Sequence, residues 1–186
     1  MNCRPLAALF AAAGLSASVL CSCSVVPEVP QAPAGPSYWN DTQTGGTPWI
    51  EVDLDRQLAT FYRGQNKMGV AAISSGNESH RTRNGTYSIL EKVLDKYSNR
   101  YGCVEDAHGT VVNNDATPGS RVPPGCRYVP APMPYWMRLT SGGIGMHQGY
   151  LPGYPASHGC IRLDRKVAPD FYNAAHVGMK VKVTGD

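Results

Sequence analysis

Charge is scarce in this chain. Asp, Glu, Lys and Arg make up 17% of its 186 residues, against roughly 25% in an average soluble domain, so it is no disordered acidic or basic tail. The formal net charge is only +3 and no basic run occurs, so nothing supports a nucleic-acid partner. Helical periodicity is scarce and internal repeats are absent. Gly and Pro are numerous, at 20 and 15, but stay under the roughly 25–30% that marks low complexity. Length favours one domain with a real core.

The first residues are unlike the rest. Arg4 is the only charged side chain before Glu28, and Leu6 to Leu20 is an apolar stretch rich in Ala and Leu. It is too short to span a bilayer comfortably and matches the apolar core of a secretory signal. It ends in Leu20-Cys21-Ser22-Cys23, which resembles the lipobox of bacterial lipoproteins. Ser22 is the small residue before Cys23 and Leu20 stands three before it, whereas bulky Leu20 would directly precede Cys21. Residues 1–22 are therefore expected to be a signal peptide and Cys23 to carry lipid. That puts the protein in the cell envelope, anchored to a membrane and facing the periplasm. Residues 23–47 read as a linker, with Pro27, Pro30, Pro33 and Pro36 recurring every three residues in an extended tether.

From residue 48 to 186 the pattern is mostly β. Ile50, Val52 and Leu54 alternate with Glu51, Asp53 and Asp55; Leu58–Tyr62 and Met68–Ser74 are further β-rich runs around a Gly64-Gln65-Asn66 turn. Tyr87, Ile89, Glu91 and Val93 alternate again, as do Met179, Val181 and Val183 with their lysines. One short helix is expected after Val167, starting near Pro169. Residues 95–128 show little alternation and read as an inserted loop. Cys103 and Cys126 lie within it, and in an oxidising compartment they are expected to pair and staple it.

The chemistry concentrates in Ile144-Gly-Met-His147-Gln-Gly-Tyr-Leu-Pro-Gly-Tyr-Pro-Ala-Ser157-His158-Gly159-Cys160-Ile-Arg162-Leu163. Cysteine attacks as thiolate, and a neighbouring imidazole is the common means of generating it. Two histidines lie near Cys160 in sequence. Gly159 lets a substrate approach the backbone closely, and the amides of Gly159 and Cys160 suit an oxyanion site. The residues alone point to acyl transfer by cysteine.

Ser157-His158-Gly159-Cys160-Ile161-Arg162-Leu163 with an upstream His147 resembles the signature of the L,D-transpeptidase (YkuD-type) domain. Ile50–Leu58 resembles that family's opening strand and turn. Thr82-Arg83-Asn84-Gly85-Thr86-Tyr87 resembles its Thr-Pro-x-Gly-x-Phe/Tyr segment with Arg83 replacing the proline. Met133–Arg138 resembles the strand leading to the histidine. The resemblance implies a β-sandwich or barrel with one short helix after the catalytic strand, and a domain over 48–186 acting on peptidoglycan stem peptides, as a monomer and without cofactor. Cys160 would attack the carbonyl between diaminopimelate and the terminal D-Ala, and an amine would resolve the thioester. It implies His147 as general base and acid, His158 and Gly159 in the catalytic site, and Ser157, Arg162 and Tyr135 at the substrate. The interval from His147 to Ser157 is shorter than the family's, and Gln148 stands where a small residue usually follows the histidine, leaving the third member of the triad open.

Two other readings share these residues: a carboxypeptidase or endopeptidase that releases the thioester to water, and a non-catalytic wall-binding lipoprotein. A metal site from His147, His158 and Cys160 is disfavoured, because His-x-Cys lacks the usual ligand spacing. His80, His108 and His176 read as ordinary surface residues.

Overall fold

The computed structural model describes residues 37–42 and 45–185. Residues 1–22, read above as a signal peptide, Cys23, and Pro27, Pro30, Pro33 and Pro36 of the segment read as a linker fall outside them. Among the described residues there are eleven strands and one α-helix: β1 Tyr38–Trp39, β2 Pro48–Asp53, β3 Leu58–Arg63, β4 Asn66–Ser74, β5 Gly85–Ser88, β6 Glu91–Glu105, β7 Val111–Ala116, β8 Arg127–Arg138, β9 Gly145–Gln148, β10 Ile161–Leu163, α1 Ala168–Ala174 and β11 Lys180–Thr184. The strand order is β5-β11-β2-β3-β4-β10-β9-β8-β6-β7, with β1 also on β4. Most pairs are antiparallel, but β9/β10 and β2/β11 are parallel. The fold is thus mostly β, with a mixed sheet and a single short helix after β10.

β4 joins the two halves of the sheet, pairing with β3 along most of its length and with β10 at Ile73 and Ser74. Its residues from Met68 onward are all buried, which explains why it reads as an unbroken run rather than an alternation. One hydrophobic core spans both halves, from Ile50, Val52 and Val181 to Met137, Met146 and Leu163. Residues 85–93, read as one alternating strand, divide between β5 on β11 and the start of β6 on β8.

Helix α1 has its proline in the first turn, where no amide hydrogen is needed. Its fully buried Phe171 meets Phe61 edge-on at 5.7 Å and Trp39 at 5.5 Å. Trp39 also packs on Phe61 at 5.1 Å. The folded domain therefore begins before residue 48, and part of the segment read as linker belongs to it. β1 pairs with Val70 and Gly69, and Asp41 receives a bidentate hydrogen bond from Arg63 at 2.7–3.0 Å. Two strand residues are too few to show a period, so only the tertiary contact of Trp39 reveals them.

Residues 95–128 are not an inserted loop. Most of them continue β6, form β7 and begin β8, making a ribbon that extends the sheet. β7 is exposed except at Ala116, so the ribbon has no core face to impose an alternation. Cys103 and Cys126 are free thiols, contrary to the expected disulfide. Register explains it: Cys103 pairs with Val129, three residues from Cys126, an offset of about 10 Å along the strand that exceeds disulfide reach.

Because Phe171 ties α1 to both β1 and β3, Phe171→Ala is expected to destabilise the domain by about 3–5 kcal/mol. Denaturant unfolding checks this; a loss below about 1 kcal/mol would mean that the helix contributes little to the core.

Candidate active site

The parallel register of β9 and β10 builds the site. Ile161 stands opposite Met146 and Arg162 opposite His147. Cys160 precedes β10 directly, two residues before Arg162, so strand alternation sets Cys160, Arg162 and His147 on one face. All three line a single cleft of about 1350 Å³.

His147 is buried, and its Nδ1 lies 2.7 Å from the main-chain carbonyl of Gln148. A carbonyl only accepts, so Nδ1 carries the hydrogen and Nε2 keeps its lone pair. The acceptor beside Nδ1 is a backbone oxygen, so the identity of the side chain at 148 does not enter this hydrogen bond. Burial pushes the His147 pKa down to about 4; the Gln148 carbonyl opposes this and the Arg162 guanidinium adds to it. Burial likewise raises the Cys160 thiol above its ordinary value, while the Gly145 amide and Arg162 favour the thiolate. At neutral pH the pair therefore rests as thiol and neutral imidazole, not as a preformed ion pair.

The turn before Cys160 is held from three directions. Gly159 has φ +105°, and a Cβ there would come within 2.8 Å of Ile144 Cδ1, so glycine is required. Its carbonyl accepts from Thr82 Oγ1 at 2.9 Å, and Thr82 Oγ1 accepts from the Gly76 amide at 2.9 Å. The buried Ser157 hydroxyl donates to the Cys160 carbonyl and accepts from the Gly159 amide. The Gly159 amide is thus engaged inside the turn rather than offered to an oxyanion. Ser157 thus lines the cleft with its hydroxyl proton committed to the backbone. In the sequence Thr82 is only the first residue of a weak motif, and nothing local announces its clamp on Gly159.

His158 faces the ribbon. Its ring stacks on Tyr101 at 4.2 Å, meets His80 edge-on at 4.8 Å, and its Nε2 lies 3.4 Å from Asp115 Oδ1. Burial lowers its pKa, opposed by Asp115. His80, read as an ordinary surface residue, is a neighbour of the site. Tyr101 arrives through an irregularity in β6: Tyr97 pairs with Pro132 but Gly102 with Pro130. The extra residues border the cleft, with Ser98 Oγ accepting from the amides of Arg100 and Tyr101. No sequence period announces such a bulge.

Arg162 is half-buried and makes no ion pair with a carboxylate among the described residues. Gly149 lets its stem pass, since a Cβ there would stand 2.8 Å from Arg162 Cγ. Tyr135 is not at the cleft. It sits on the other face of β8, against Tyr172 of α1 at 5.7 Å, while its neighbours Pro134 and Trp136 line the cleft. Among the described residues no three His, Cys, Asp or Glu side chains gather to hold a metal.

A mostly β domain with a histidine on β9 and a cysteine just before the parallel β10 sets the class, and comparison gives the family. Residues 47–183 match the model of the YkuD L,D-transpeptidase catalytic domain. The chain belongs to that family. No curated protein is similar enough in sequence to match. Among solved structures, it resembles an L,D-transpeptidase from Mycobacterium smegmatis (22% identity, TM-score 0.56, covering 76% of this chain and 60% of the other). It also resembles the L,D-transpeptidase LdtMt1 in complex with imipenem (20%, 0.57, 75% and 60%). A third is the Enterococcus faecium L,D-transpeptidase C442S mutant (22%, 0.53, 75% and 50%). The chain thus spans about half to three-fifths of the length of these proteins, and the likeness is one of fold.

The charge states have a measurable consequence. A raised thiol pKa means that less thiolate is present at neutral pH, so alkylation of Cys160 by iodoacetamide is expected to accelerate as pH rises through the alkaline range. Intact-mass kinetics check this; a rate already at its plateau below pH 7 would reveal a resting ion pair instead.

Proposed function

We propose that the protein is a peptidoglycan L,D-transpeptidase with Cys160 as nucleophile and His147 as general base and acid. The observation that carries this is the alignment of Cys160, Arg162 and His147 on one face, with His147 Nδ1 tied to a carbonyl and Nε2 left to accept. Sγ attacks the carbonyl between diaminopimelate and the terminal D-Ala of a stem tetrapeptide, while its proton passes to Nε2. The Cys160 amide is the remaining candidate in the turn for holding the oxyanion. The C–N bond breaks, D-Ala leaves with the proton that His147 returns, and a thioester remains. An incoming amine then forms the new amide, loses its proton to His147, and the sulfur is released as thiol.

Two features favour carrying the acyl group to an amine. Trp136 and the stacked Tyr101 and His158 give the cleft aromatic walls beside the thioester, and exclusion of water determines how a thioester partitions. Six cleft cations without a carboxylate partner among the described residues suit a second anionic peptide. We propose further that the domain works in the cell envelope, held to a membrane through acylated Cys23.

Tetrapeptide muropeptides incubated with and without an added D-amino acid, and resolved by mass spectrometry, test the reaction. Dimers or exchanged stems are expected; tripeptides alone under both conditions would assign the protein to hydrolysis. In the same assay Cys160→Ser is expected to abolish product, and His147→Ala to lose about 10²–10⁴-fold in rate, far more than His158→Ala. Equal losses for the two histidines would remove the assignment of the base. The anchor has its own test: Cys23→Ala is expected to move the protein from the membrane to the soluble fraction, and retention on membranes would refute it.

A further inference from the structure

The distribution of charge in the cleft goes beyond what the motif supplies. Seven of the chain's 17 Lys and Arg residues line it, against one of its 14 carboxylates. That carboxylate, Asp164, is buried and accepts the Lys166 amide at 2.9 Å, so it faces its own turn. Arg138 is paired with Glu91 at 2.9 Å. The other six cations, Arg162 among them, have no carboxylate partner among the described residues.

Their placement is not uniform. Arg56, in the turn between β2 and β3, and Arg165 and Lys166, just after β10, occupy one flank. Lys96 and Arg100 belong to β6, beyond β9 and β8. With strands about 4.8 Å apart, β10 and β6 stand about 14 Å from each other, with His147 between them. A peptide lying across the thiol therefore meets unpaired positive charge on both sides. Gathered cations in a partly enclosed cleft reinforce each other's field and favour anionic ligands over neutral isosteres. An amide in place of a carboxylate would leave these guanidinium and ammonium groups without a countercharge.

We propose that the cleft selects stem peptides whose carboxyl groups are free over the same peptides with those groups amidated, and that Arg56, Lys96, Arg100, Arg165 and Lys166 set this selectivity. The proposal rests on the reading of the substrate as a peptidoglycan stem. It concerns residues outside the signature, which the family resemblance does not assign.

Calorimetric binding to the full chain carrying Cys160→Ser, which retains the cleft but forms no thioester, tests it. The ligands are a diaminopimelate-containing tetrapeptide with free carboxyls and its side-chain-amidated counterpart. The free acid is expected to bind about tenfold more tightly or better, the discrimination that one charge-assisted hydrogen bond supports. The gap is expected to shrink near about 0.5 M salt, where exposed charges are screened. It should narrow in R56Q/R165Q/K166Q and in K96Q/R100Q, and vanish when all five are combined, with melting curves confirming folded protein. Equal binding of the two peptides, or a full gap in the combined variant, overturns the inference while leaving the stem as substrate. Binding of neither peptide removes both this inference and the reading beneath it.

Discussion

The active arrangement depends on one hydrogen bond made inside one register. β10 runs parallel to β9, so Arg162 lies beside His147 and Cys160 follows on the same face. Within β9 the Gln148 carbonyl takes the Nδ1 hydrogen of His147. Without the register Cys160 and His147 would not share one face of the cleft. Without the hydrogen bond, a buried imidazole would be free to present the wrong nitrogen. The acceptor is backbone, so its position follows from the strand itself and needs no second side chain to be packed and oriented.

Burial gives the pair its electrostatic character. A desolvated histidine is poor at holding charge and a desolvated thiol is poor at losing its proton. Arg162 acts on the two in opposite senses, favouring the thiolate of Cys160 and opposing a charge on His147. The surrounding contacts hold the site's elements together. Ser157 and Thr82 fasten the Gly159 turn, and Phe171 of α1 closes the core against Phe61 and Trp39.

What could be read from the sequence was whatever side-chain identity and period express. Buried one-sided strands such as β2 and β11 alternate, and Gly159, Cys160 and His147 carry their chemistry in their side chains and spacing. The remainder is invisible for stated reasons. The acceptor for His147 is a main-chain carbonyl, which every residue possesses. Trp39 enters the core from a strand of two residues. Residues 95–128 form strands without a buried face, so they resemble a loop, and the two thiols within them are separated by register rather than by sequence distance. Tyr135 sits one position out of phase with Trp136, and that single step turns it from the cleft to the helix. Tyr101 and Asp115 reach His158 from the ribbon, and His80 from the short turn Glu78–His80, contacts that no local period expresses.

The central claim, that a neutral His147 is held with its proton on Nδ1 and its lone pair on Nε2, is open to direct observation. Nitrogen-15 NMR of the domain labelled at histidine, assigned by His147→Gln, distinguishes the two ring nitrogens. At pH 7 the account predicts a single protonated nitrogen, Nδ1, and an unprotonated Nε2, with the second proton added only as pH falls toward about 4. A His147 protonated on Nε2, or on both nitrogens at neutral pH, would contradict it.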